Sequence, residues 1–64
     1  MTYDIYFNNE YNSNNKGFRL SLEECKDYIE TSRNDSGSYF EDYKGGTVSI
    51  VCNETGEVVF EEII

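Results

Sequence analysis

Two β-rich runs, Thr47 to Cys52 and Glu57 to Ile63, flank the tetrapeptide Asn53-Glu54-Thr55-Gly56. No other feature restricts the fold as much. Asn is favoured at the start of a type I turn, and Gly takes the left-handed conformation at its end. The sequence therefore predicts a hairpin whose turn runs into a G1 bulge. That turn sets Asn53 near Glu57, Cys52 against Val58 and Ile50 against Phe60. One face then carries Val48, Ile50, Cys52, Val58 and Phe60, and the other Ser49, Val51, Val59 and Glu61. A slip of one residue would exchange the faces, so the pattern pins the register.

Upstream, Tyr3, Ile5 and Phe7 alternate with Asp4, Tyr6 and Asn8, the period of a half-buried strand. Asn9 to Lys16 is rich in Asn and reads as a loop. Gly17 opens a short second strand, Phe18-Arg19-Leu20. Ser21-Leu22-Glu23-Glu24 is a capping box, with Ser21 as N-cap and Glu24 reaching back to it. Leu22, Cys25, Tyr28 and Ile29 follow at helical spacing, Arg33 suits the negative helix end, and Asn34-Asp35-Ser36-Gly37 is the expected stop. The helix spans about 21–33. Residues 38–44 read either as a helical turn or as an irregular crossing, closed by the permissive pair Gly45-Gly46.

A chain of 64 residues makes one domain, 1–64. The order strand, strand, helix, crossing, strand, strand predicts an α+β fold. It is an antiparallel sheet of about four strands in ββαββ order, with one helix on one face. The expected core is Tyr3, Ile5, Phe7, Phe18, Leu20, Leu22, Cys25, Ile29, Val48, Ile50, Cys52, Val58 and Phe60. A core this small is marginal, which leaves room for a homodimer through an uncovered strand edge.

Thirteen acidic residues face five basic ones, a net charge of −8. Such a surface repels bare nucleic acid and anionic membranes and suits a basic protein surface. No apolar run is long enough for a membrane helix. The N-terminal residues show no export signal, so the expected setting is cytoplasmic and reducing. There is no His, the commonest general base near neutral pH. Cys25 and Cys52 lie on apolar faces, without a base to activate them. Asn12, Asn14, Lys16, Gly17 and Glu23 echo a calcium loop, but a Lys sits at a ligand position. The expectation is no enzyme, no cofactor, no metal and no catalytic residue.

What remains is the acidic surface. Glu23, Asp27 and Glu30 fall at i, i+4 and i+7 and line one helix face. Glu41 and Asp42 follow in the crossing, and Glu54, Glu57, Glu61 and Glu62 lie along the hairpin. Tyr6, Tyr11, Tyr39 and Tyr43 are candidate exposed anchors, because Tyr offers large contact area at low entropy cost. The expected partner-binding set is Glu23, Asp27, Glu30, Glu41, Asp42, Tyr39 and Tyr43.

The helix start Ser21-Leu22-Glu23-Glu24-Cys25-Lys26-Asp27-Tyr28-Ile29 and the turn Asn53-Glu54-Thr55-Gly56-Glu57 are common sequences that build the layout, and it is in size, charge and that layout that the chain resembles small acidic anti-defence proteins of phages and mobile elements. These include anti-CRISPR proteins and other nucleic-acid mimics. The resemblance spans the whole chain in size, charge and mixed α+β layout. It implies a non-enzymatic inhibitor, acting in the host cytoplasm, that binds the basic surface of a nucleic-acid-binding protein. A self-associating structural or assembly module is the alternative.

Overall fold

A computed structural model describes residues 1–34 and 39–64. Its elements run β1 (Tyr3–Asn8), β2 (Ser13–Asn15), α1 (Leu22–Arg33), α2 (Tyr39–Asp42), β3 (Thr47–Cys52) and β4 (Val58–Ile63). The four strands form one antiparallel sheet in the order β2-β1-β3-β4. The alternation in β1 sets Ile5 opposite Ile50 and Phe7 opposite Val48. All four side chains are fully buried beneath Cys25 and Ile29 of α1. The fold is thus α+β, with one main helix on one face of the sheet. Within the ambiguous segment 38–44, Tyr39–Asp42 forms a second, short helix, α2, while Ser38 lies outside the described residues.

The second strand lies earlier than expected. Asn9 folds the chain back, its Oδ1 accepting from the amides of Tyr11 and Asn12 at 2.9 and 2.7 Å. Ser13–Asn15 then pairs with β1. All three residues are exposed, so no apolar alternation marks them. The expected strand Phe18-Arg19-Leu20 is reduced to one bridge between Leu20 and Tyr3.

The cause is Asp4, which is buried (3% exposed). Its Oδ1 accepts from the amides of Ile5 and Phe18 at 2.7 and 2.8 Å. Its Oδ2 accepts from Asn15 Nδ2 and the Gly17 amide, each at 3.1 Å. A side chain thus takes the amides that would otherwise extend the β-ladder.

Helix α1 starts as its sequence dictates. Ser21 Oγ accepts from the Glu24 amide at 3.1 Å, and Glu24 Oε1 accepts from the Ser21 amide at 3.0 Å. The helix ends at Arg33, with Asn34 as C-cap. The rest of the expected stop, Asp35 to Gly37, lies outside the described residues. Removing the cap hydroxyl by Ser21→Ala is expected to cost about 1 kcal/mol at neutral pH, read by urea denaturation.

The hairpin carries its extra residue in another place. Cys52 and Glu57 close a four-residue loop, with Gly56 N–H donating to Cys52 O at 2.8 Å and Cys52 N–H to Glu57 O at 2.9 Å. Ile50 pairs with Phe60 as expected, but Val51 pairs with Val58, so the bulge falls at Val59. One inserted residue gives the same register beyond it wherever it sits. Its position decides the faces in between, so Val58 leaves the core and is 53% exposed. The other twelve expected core residues are buried or packed against the core. Phe40 and Tyr43 join them: the Phe7 ring meets Phe40 edge-on at 5.4 Å and Tyr43 at 5.8 Å.

Candidate protein-docking surface

At 100° per residue, Cys25, Ile29 and Ser32 share one side of α1, and all three are buried. Glu23, Asp27 and Glu30 project from the opposite side and are exposed. The capping carboxylate is not part of that row. Hydrogen bonds from the Ser21 backbone and then its hydroxyl hold Glu24 below the usual carboxylate range. Three of the five cations sit on the flanks of α1. Arg33 pairs with Glu62 of β4 at 2.7 Å and lies over the Phe40 ring at 5.3 Å. Lys26 lies over the Phe60 ring at 6.0 Å, and Lys16 at the same distance from the Tyr28 ring. The outward crest of the helix therefore carries carboxylates with Thr31 beside them.

Glu41 and Asp42 are exposed on α2. At the i, i+3 spacing of that turn, Phe40 and Tyr43 face Phe7 instead. This corrects the expectation for Tyr43: it is 9% exposed and is a core residue rather than a surface anchor. The side chain of Tyr39 lies outside the described residues. Tyr11 is exposed on the loop before β2, and Tyr6 is half-buried on the sheet face away from the helices.

The remaining acids divide. Glu54 accepts from the Thr2 amide at 3.1 and 3.3 Å, a bond that holds its carboxyl low. Glu62 is paired, and Asp4 is internal. Glu10 is exposed on the loop before β2. Glu57 and Glu61 are exposed along the hairpin, where Glu61 accepts from Ser49 Oγ at 3.2 Å. Among the described residues, exposed carboxylates are thus divided among the helical layer, the β3–β4 hairpin and the loop before β2 rather than gathered on one face.

A polar depression of about 360 Å³ opens beside Asp4, lined also by Tyr6, Asn15, Arg19, Asn53 and Glu54. Asp4, Asn15, Asn53 and Glu54 already have partners. Asp4 accepts its four bonds, and Asn53 Nδ2 donates to Thr2 Oγ1 and Phe18 O, each at 3.0 Å. Both cysteines are free and buried. Burial, then the nearby carboxylates of Asp4 and Glu24, push the Cys25 thiol up and away from the nucleophilic thiolate. Among the described residues no three Cys, Asp or Glu side chains converge as a metal site. No described helix is long and apolar enough to cross a membrane.

Sequence reasoning missed Asp4, the most connected side chain in this region. The available signal was an Asp inside a strand, where Asp is depleted and a buried carboxylate needs donors. No family model matches the chain, and neither the curated proteins nor the solved structures contain a match.

Proposed function

We propose that this protein is a non-enzymatic inhibitor that sets the carboxylates of its helical layer against the basic groove of a nucleic-acid-binding protein. The observation that carries this reading is the outward row Glu23, Asp27 and Glu30 on α1, with Glu41 and Asp42 exposed on α2. A row of fixed carboxylates offers Lys and Arg what a phosphate backbone offers. Docking would release the ions held at the basic groove, as nucleic-acid binding does. Long-range attraction from a net charge of −8 speeds the encounter. The working part is held by a scaffold with a capped helix and buried thiols.

The test is cleavage by a panel of purified RNA-guided nucleases, titrated with the protein. At least one is expected to be inhibited, with potency falling as salt rises from 50 to 300 mM, a range on the order of that in which such contacts weaken. Reversing Glu23, Asp27 and Glu30 to Lys is expected to weaken inhibition by about 100-fold, while the variant melts within a few degrees of the parent. Inhibition unchanged by the reversal, or no inhibition of any nuclease, overturns the reading.

A further inference from the structure

The sheet ends at β4 with no strand beyond it among the described residues. Main-chain pairing continues one residue past β4. Ile64 donates to Gly46 O at 2.9 Å and accepts from Gly45 at 3.1 Å, so its backbone groups point towards β3. By the two-residue period of a strand, those of Ile63 and Glu61 point outward. Their side chains lie on the sheet face away from the helices, beside Thr47 and Ser49. Val58 and Val59, at 53% and 44% exposed, and Ile63, at 77%, form an apolar row interrupted by Glu61 and preceded by Glu57. Natural edges of this length are usually shielded, and charge is one of the shields. Glu62 is neutralised by Arg33, and Glu57 and Glu61 leave the shield net negative. Any two-fold pairing with a second copy sets both sets of Glu57 and Glu61 along one seam, and each copy adds its −8.

We propose that the β4 edge accepts an extended segment of a partner protein as a fifth strand. On the sheet face away from the helices the segment carries Lys or Arg beside Glu61, flanked at alternate positions by β-branched residues beside Ile63 and Val58. Main-chain bonds to Glu61 and Ile63 supply the attachment, and side-chain alternation supplies the choice of partner. This edge is separate from the carboxylate row of α1 and stands or falls without it.

The probe is a synthetic seven-residue peptide, Thr-Val-Thr-Lys-Thr-Val-Thr (the Lys–Val peptide), which sets Val, Lys and Val on one face, titrated into uniformly 15N-labelled protein, with Glu in place of Lys as the control (the Glu–Val peptide). The Lys–Val peptide is expected to slow hydrogen exchange at the Glu61 and Ile63 amides by about 10-fold, and the Glu–Val peptide to leave them unchanged. E61K is an exposed substitution expected to reverse the preference, weakening the Lys–Val peptide by about 10-fold. Ile63→Pro removes one outward N–H and should abolish protection at Glu61. E61K reads the same contact should the proline variant fail to fold. Carrying E23K, D27K and E30K together should leave the edge protection intact, which separates this proposal from docking at the helical layer. Lys–Val binding without slower exchange at Glu61 and Ile63, or no binding at millimolar peptide, overturns the proposal. So does exchange at those amides that slows with protein concentration alone, since a second copy would then occupy the edge.

Discussion

Asp4→Asn is expected to destabilise the protein by about 3 kcal/mol, a fall of roughly 12–24 °C in melting temperature for a domain this small. The substitution keeps the shape and replaces one acceptor oxygen with a donor. Placed at Oδ1, the new amide group faces the Ile5 and Phe18 amides, and at Oδ2 the Gly17 amide and Asn15. Asn15 can turn its own amide to compensate, but no backbone N–H can. A backbone donor therefore loses its acceptor in either orientation, at buried Ile5 and half-buried Phe18 in one and at exposed Gly17 in the other, and the charge that strengthened all four bonds is lost. Asn15→Ala removes one donor and leaves three, so its expected cost is below about 1 kcal/mol. Thermal melts of both variants decide the matter, and a loss under 1 kcal/mol for Asp4→Asn would show that water replaces the carboxylate. The effect reaches the docking surface, because Asp4 fixes the segment that delivers Ser21 to the start of α1.

Gly46→Ala is expected to cost about 3 kcal/mol, and Gly45→Ala clearly less. The two neighbours are glycine for different reasons. Gly45 has φ +92°, and an added Cβ would meet open space, so its substitution carries only backbone strain. Gly46 is buried, and a Cβ there would run into the carbonyl of Asn8 and crowd Asn9, which are backbone atoms of the strand and loop beside it. Neither side can move without breaking the β1–β3 ladder or the bond from Ile64 to Gly46. Urea titration of the two alanine variants reads the difference directly, and equal losses would count against the close approach.

Acid should weaken the fold through groups already in view. Glu24 and Glu54 both have pKa values lowered by hydrogen bonds made in the folded state, led by those from Ser21 and Thr2. A carboxyl depressed on folding stabilises above its unfolded pKa, near 4.3. That contribution disappears as pH falls through the lower, folded value.

How much of this was legible depends on range along the chain. The capping box was readable because Ser21 and Glu24 satisfy each other within one turn, and the β1 alternation because Ile5 and Phe7 announce a buried face. Asp4 was not, since its amide partners Gly17 and Phe18 lie 13 and 14 residues away and carry no side-chain signature. Val58 was misplaced because a bulge at Val59 and one at Gly56 yield the same Ile50–Phe60 pair. The row Glu23, Asp27 and Glu30 followed from helical spacing alone. The sequence could not show which other acids were already engaged: Glu24 in the cap, Glu54 at Thr2, Glu62 at Arg33. Tyr43 was lost to the surface set because a four-residue helix is too short to display a period.

The place of β1 between β2 and β3 has a kinetic consequence. Its register sets Tyr3 opposite Cys52, so both helices and the chain around them must be looped out before the inner pair of strands can meet. The β3–β4 hairpin and the first turns of α1 can flicker into shape early, but an isolated hairpin is barely stable in water. Productive collapse therefore waits on one entropically costly long-range encounter. Unfolding should be all-or-none in return, because separating β1 from β3 parts the sheet through its middle and strips the helices of their support.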